Sequence, residues 1–312
     1  MNFYRSEEGM KKLLTAILIV LMFGGCGKSE RLERSEIAMH TLVTLKANGN
    51  SARQAIDRSF RRIEELEKIF DVDTKKMNVA AGNGEFIQVN RETFEMLELA
   101  REFHDRTDGA FDVTLGAAIE LWNFGDENPR VPRGAELEEA KSRVGFEHLK
   151  LRAEDCSVNT DRAGVSINFG GIAKGYAADE VRKIFVENGI DDGLIDFGTS
   201  TIFAVGKKNV GLKNPSKPDE LIDVIELENA ALSTSGDYMN FFIVDGRRYH
   251  HIIDPRTCAP VENGISAVSV VVDGDLENCC AIADILSTAI FVTGEDRAAK
   301  IFPNVDYMIF RR

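Results

Sequence analysis

Residues 167–179, INFGGIAKGYAAD, constrain this chain more than any other segment. The alternating apolar residues Val165, Ile167 and Phe169 predict a strand over 165–169. The run breaks at Gly170-Gly171, and a helix-like pattern starts at Ile172 with Lys174 in its first turn. Paired glycines let a ligand approach the backbone, and a helix start offers free N–H groups to an anion. On its own the segment also reads as an ordinary strand-to-helix turn.

Three further segments make it more than that: TDGAFDVT at 107–114; TSGDYMNFF at 234–242 with HHIIDPRTCAP at 250–260; and ADILSTA at 283–289. The last places Asp284, Ser287 and Thr288 at i, i+3 and i+4 of an expected helix, on one face. Carboxylate and hydroxyl oxygens gathered this way suit a hard cation. A solvated polar face, or hydroxyls bonded back to the helix, gives the same pattern.

Apolar spacing predicts long amphipathic helices over 51–70, with Ile56, Phe60, Ile63, Leu66 and Phe70 on one stripe, and over 93–106, with Phe94, Leu97, Ala100 and Phe103 inward. Strands are expected at 37–46, 149–151, 165–169, 193–196, 202–205, 224–227, 241–244, 248–253, 267–272 and 307–310, and helices at 172–188 and 279–292. This mixture lacks a regular βα alternation, which argues for an α+β fold rather than a doubly wound sheet. Segments 126–134 and 214–218 read as turn-rich surface loops inside one domain.

The N-terminus reads as an export signal. Lys11 and Lys12 precede an apolar run over 13–23, too short to span a bilayer, and Gly24-Gly25 lead into Cys26. The arrangement is lipobox-like, with Phe23 where Leu is usual, and makes Cys26 the acylated first residue of a mature protein. A plain secretory signal and an uncleaved anchor are the alternatives. The organisation expected is a signal at 1–25, a charged tether at 26–36 and one domain over 37–312. Residues 1–25 carry about +1 of the formal −13, so the remainder is near −14. Such acidity argues against nucleic acid or anionic lipid as the main partner, and calls for a local positive element if the site handles phosphate. Cys156, Cys258, Cys279 and Cys280 lack metal-type spacing. Either Cys258 bridges Cys279 or Cys280, or all are buried free thiols. The only tryptophan, Trp122, reads as core rather than as a stacking platform for a cofactor.

In order and spacing, the four motifs resemble the ApbE family of flavin transferases from about Met39 to the C-terminus. The resemblance implies a single core of two β/β/α-type halves. It implies Mg2+-dependent transfer of FMN from FAD to a Thr or Ser hydroxyl of a target flavoprotein, with release of AMP. The target would carry a D-G-x-x-[ST]-[AG]-T motif, as in a subunit of a membrane redox pump. Magnesium would be held by Asp284, Thr288, the Gly171 carbonyl and Ser287, where many members have a second Asp. Met39, Asn78, Ala110, Phe111, Asp112, Asn168, Lys174, His251 and Ile253 would contact FAD. Asp284 and His251 are the catalytic candidates. This chain departs from the family at His40 and Cys258, where Gly is usual, and at Asn168, where Asp is usual. If position 258 is left-handed, a side chain there costs about 1 kcal/mol. An FAD pyrophosphatase with the same residues is the second reading, and a flavin-binding lipoprotein without activity the third. The expected location is lipid-anchored to a bacterial membrane, on its periplasmic or outer face.

Overall fold

The computed structural model describes residues 31–124, 129–198, 200–301, 303 and 305–311; the signal, Cys26 and the rest of the expected tether up to residue 30 lie outside them. The strands are β1 (Arg31–Ala38), β2 (Thr41–Asn48), β3 (Ile87–Gln88), β4 (Leu149–Arg152), β5 (Ser157–Thr160), β6 (Gly193–Phe197), β7 (Thr201–Asn214), β8 (Lys217–Gly236), β9 (Phe241–Val244), β10 (Arg247–His250), β11 (Ile253–Asp254), β12 (Ala259–Pro260), β13 (Ile265–Asp273) and β14 (Asp306–Arg311). The helices are α1 (Ala52–Ala80), α2 (Arg91–Arg106), α3 (Gly116–Trp122), α4 (Gly134–Lys141), α5 (Ala173–Glu187), α6 (Cys279–Thr293) and α7 (Glu295–Ile301).

The architecture is α+β, as expected. One seven-stranded sheet, in the order β1-β2-β6-β7-β8-β13-β14, is antiparallel throughout. Its side-chain alternation divides the core in two. Phe203, Val205, Ala231, Val268 and Val270 face the main cluster, shared with α1, α2, α5 and α6. Ile202, Ala204, Leu232 and their neighbours form a smaller cluster on the opposite face. A third cluster joins α3 and α4 to the β9–β10 hairpin, around Trp122. Trp122 is core, as expected: it is 2% exposed and its indole N–H donates to the Cys258 carbonyl at 2.7 Å. No described helix is long and apolar enough to cross a membrane.

Three expectations need correction, and of the two cysteine readings the free-thiol one holds. The tether does not extend to residue 36, because Arg31–Ala38 is a strand paired with β2; the turn between them is made by Met39 and His40, both at positive φ (48° and 60°). Helix α1 runs ten residues past Phe70, which puts Asn78 on its last turn. The segment 165–169 is extended but joins no sheet. Its apolar residues are buried in the main core, with Phe169 against Phe70 of α1, and it makes one isolated bridge, Ser166 to Leu115. All four described cysteines are free, with Cys258 in the Trp122 cluster and Cys279 and Cys280 at the start of α6 in the main core. Cys258 is left-handed (φ 53°), so the side chain there does carry a strain of about 1 kcal/mol.

Candidate active site

The four motifs converge. The segment before the Gly-Gly turn runs beside the end of TDGAFDVT: Asn168 N donates to Val113 O at 2.8 Å and Gly116 N to Ser166 O at 2.9 Å. Asn78 fixes this arrangement from α1. Its amide oxygen accepts from Ile167 N at 2.8 Å and its nitrogen donates to Ser166 Oγ at 3.1 Å. Asn168 then shapes the turn, accepting from Gly170 N at 2.8 Å. A Cβ built on Gly171 would lie 3.1 Å from Phe111 Cε2 and 3.3 Å from Thr288 Oγ1, so a side chain here would crowd the point where these elements meet.

Helices α5 and α6 pack closely enough to bring Asp284 against the start of α5. A Cβ on Gly175 would sit 2.4 Å from the Cys280 carbonyl oxygen. Asp284 is 3% exposed; its Oδ2 accepts from Gly175 N at 3.2 Å and its Oδ1 lies 3.3 Å from Ser233 Oγ. Burial pushes its pKa up, and Lys174 opposes this. Lys174 Nζ donates to Gly170 O at 3.1 Å.

Further along the same helix face, Ser287 Oγ donates to Asp284 O at 2.9 Å and Thr288 Oγ1 to the same carbonyl at 3.3 Å. Both hydroxyls meet Ser235 Oγ, at 2.8 and 3.1 Å. The match between strand and helix is one of rise. Two residues of β8 span about 6.7 Å and one helical turn about 5.4 Å, so Ser233 faces Asp284 while Ser235 faces Ser287 and Thr288. Asp284, Ser287 and Ser233 form a buried floor; Thr288 and Ser235 are half-buried at its mouth. One carboxylate, several hydroxyls and the neighbouring Gly171 backbone make a donor set of hard oxygens, which fits Mg2+. Ser233, Ser235 and Gly175 were not singled out from sequence. The period-two alternation in ALSTSG (231–236) carries the signal for the two serines.

His251 N and Nδ1 both point at Asn240 O, at 3.0 and 3.3 Å. That partner assigns the proton to Nδ1 and leaves Nε2 free to accept one. Desolvation, with His250 and Lys174 nearby, lowers the imidazole pKa to about 4. Asp112 is buried; Oδ1 accepts from Thr114 N at 2.8 Å and Thr114 Oγ1 at 2.6 Å, and Oδ2 lies 3.4 Å from His104 Nδ1. Its pKa is raised by burial. Ala110, Phe111 and Ile253 are buried. Asp254 and Arg256 form a two-pronged pair (2.8 and 2.7 Å) that occupies both. Met39, at the β1–β2 turn, donates its backbone N–H to Glu67 at 3.1 Å. A charged depression between β1 and α1, lined by Arg34, Glu36, Asp57, Arg61, Glu64 and Glu67, contains none of the motif residues.

The family model described as "ApbE family" matches residues 39–309. Among curated relatives, a FAD:protein FMN transferase of Treponema pallidum is 31% identical over 93% of this chain and 88% of its own length. One from Vibrio cholerae is 29% identical over 94% and 90%. Among solved structures, the ApbE protein of Thermotoga maritima superposes with a TM-score of 0.81 at 31% identity, covering 90% of this chain and 94% of that one. The flavin transferase ApbE of Vibrio cholerae gives 0.78 at 26%, covering 91% and 94%.

Proposed function

The chain belongs to the ApbE family, and on that premise we propose that it is a FAD:protein FMN transferase. In this reading an acceptor Thr or Ser hydroxyl attacks the phosphorus on the riboflavin side of the FAD pyrophosphate. A new O–P bond forms to the acceptor, the P–O bond to the adenylate breaks, and AMP leaves with the bridging oxygen. The observation that best supports it is the convergence of Asp284, Ser287, Thr288 and Gly171 beside Lys174.

Magnesium held by Asp284, Thr288, Gly171 O and Ser287 would neutralise pyrophosphate oxygens and the departing AMP. The chain's own residues do the rest. Lys174 and the start of α5 supply positive potential in an otherwise acidic protein. His251, neutral at physiological pH with Nε2 open, accepts the hydroxyl proton; Asp284 is the second candidate. Phe111, Asp112, Asn168, Asn78, Ala110, Met39 and Ile253 line or support the flavin side. The acceptor would be a flavoprotein carrying the D-G-x-x-[ST]-[AG]-T motif, with a membrane redox-pump subunit as its type. Anchoring by Cys26 places the enzyme on the outer side of a bacterial membrane.

The test is incubation with FAD, Mg2+ and an acceptor-motif peptide, read by mass spectrometry. Water competes at bulk concentration, but a well-oriented hydroxyl reaches effective molarities of about 10⁵ M or more. AMP release should therefore rise with peptide and equal the FMN-peptide formed. Fast release of free FMN without peptide would replace the transferase by the pyrophosphatase reading. For the anchor, Cys26→Ser should move the protein from the detergent phase to the aqueous phase; wild-type protein in the aqueous phase would remove it.

A further inference from the structure

We infer that Ser235 supplies a further hydroxyl oxygen to the cation site. The inference rests on the reading of Asp284 and Thr288 as cation ligands and assigns a role to a residue outside that set.

The argument is a count of protons. Ser287 and Thr288 each have one hydroxyl proton, and both are aimed at the Asp284 carbonyl. The carbonyl also accepts the Thr288 N–H within the helix, so the two hydroxyls share its remaining lone pair. With both protons turned towards that carbonyl, the two hydroxyls present lone pairs outward. Ser235 Oγ stands against both, at 2.8 and 3.1 Å. Its single proton can go to one of them and leaves its own lone pairs unused. Three hydroxyl oxygens thus meet where the buried floor, at Ser287, joins the half-buried mouth, at Thr288 and Ser235. The two separations also fit a metal. An octahedral Mg2+ with bonds of 2.0–2.1 Å has ligand oxygens about 2.9 Å apart along each edge.

Charge gives the second strand of the argument. Asp284 is the only carboxylate in this cluster, because position 287 is serine. A site with one carboxylate leans more heavily on its neutral oxygens, so removing one has a measurable effect. The other cluster with metal-ligating atoms, Asp179 with Cys279 and Cys280, does not compete for a hard cation. Its carboxylate is already bonded to Cys280 N and Ala281 N, and the Arg182 guanidinium lies 2.9 Å from Cys279 Sγ.

The experiment measures Mn2+ binding to the full protein by electron paramagnetic resonance, with Mg2+ as competitor and no FAD present. Ser235→Ala should weaken Mn2+ roughly 10–100-fold, the range for lost support of a metal site. Ser235→Cys, which replaces a hard oxygen by a soft sulfur, should lose Mn2+ and gain Cd2+ relative to wild type. A purely structural serine would not invert that preference. The cysteine variant also covers the case in which Ser235→Ala fails to fold. If Asp284→Asn abolishes Mn2+ binding while both Ser235 variants bind like wild type, the role of Ser235 is refuted and the cation site stands. If Asp284→Asn binds Mn2+ like wild type, the cation site itself is refuted and this inference falls with it.

Discussion

Asp179 and Asp284 look alike by every coarse measure, yet are bonded differently. Each is buried, at 3% exposed, and each reaches across the α5–α6 contact to the start of the other helix. Burial raises the pKa of both. The difference lies in what is left over. Asp179 sits on α5 and accepts from Cys280 N at 3.1 Å, Ala281 N at 2.9 Å and Cys279 Sγ at 3.5 Å. It caps α6, which has no cap from its own Asn278. Asp284 receives one bond of 3.2 Å from Gly175 and shares the single Ser233 proton, which has a closer partner in Ser200 O at 2.8 Å. Neither burial nor a raised pKa separates a structural carboxylate from a reactive one. Unspent lone pairs do.

The largest test of this contrast exchanges each carboxylate for its amide. Asp284→Asn should lower FAD cleavage roughly 10³-fold, the scale of losing a metal's charge stabilisation, with no loss of melting temperature. Asp179→Asn turns a donor against donor N–H groups and should cost about 1–3 kcal/mol of stability, with an unchanged magnesium requirement. Cleavage assays and thermal melts on both proteins check the pair; equal behaviour would dissolve the distinction.

Two glycines give a smaller version of the same contrast. Gly175→Ala, despite the usual helical gain from alanine, drives a methyl into the Cys280 carbonyl and the Ala281 backbone and should destabilise by about 1–3 kcal/mol. Gly171→Ala meets the Phe111 ring and the Thr288 hydroxyl at tight but not impossible distances. It should keep the fold and raise the concentration of Mg2+ or FAD needed for half-maximal rate. Denaturant melts and kinetics separate the two.

His251 provides a pH test. Its folded pKa of about 4 is below the ordinary 6.5. Between those values the unfolded chain holds a proton that the folded chain lacks. The contribution to stability is therefore fully present above about pH 6.5 and lost as pH falls towards 4. Melting temperature should drop more from pH 7.5 to pH 5 in wild type than in His251→Gln. Equal drops would mean the imidazole is not desolvated. The smallest effect concerns Asn168→Asp. Either residue can accept from Gly170 N, so FAD affinity should hold, while the added charge shifts the ratio of FMN-peptide to free FMN. Parallel FAD titrations and product ratios check it.

The sequence made α2 and α5 legible because their apolar residues repeat at the helical period, and α6 and β13 because each is a nearly continuous apolar run of fitting length. Where one period serves two purposes, the reading failed. Val165, Ile167 and Phe169 alternate like a strand but enter the main core from a segment that pairs with no sheet, and alternation cannot tell the two apart. β1 failed the other way: RLERSEIA has charge on both faces because it lies at a sheet margin, half in water. The first part of β8 is exposed on both faces over residues 219–224, so burial leaves no pattern to read there. The i, i+3, i+4 face of Asp284, Ser287 and Thr288 was visible in sequence because it is local. Ser235 was not, since its partners lie 52 and 53 residues away.

Among the described residues the sheet has two open margins, β1 and β14, and an unpaired margin is a template on which another molecule can add a strand. Arg31, Glu33, Arg34 and Glu36 populate the first and Asp306 and Arg311 the second. Arg34 is further tied down, bonded to Asp57 at 2.7 Å and lying 5.0 Å over the Phe60 ring. A strand adding to β1 would have to strip water from these charges. That guard is electrostatic and fades as salt shortens the Debye length, so colloidal stability at high protein concentration becomes a matter of ionic strength.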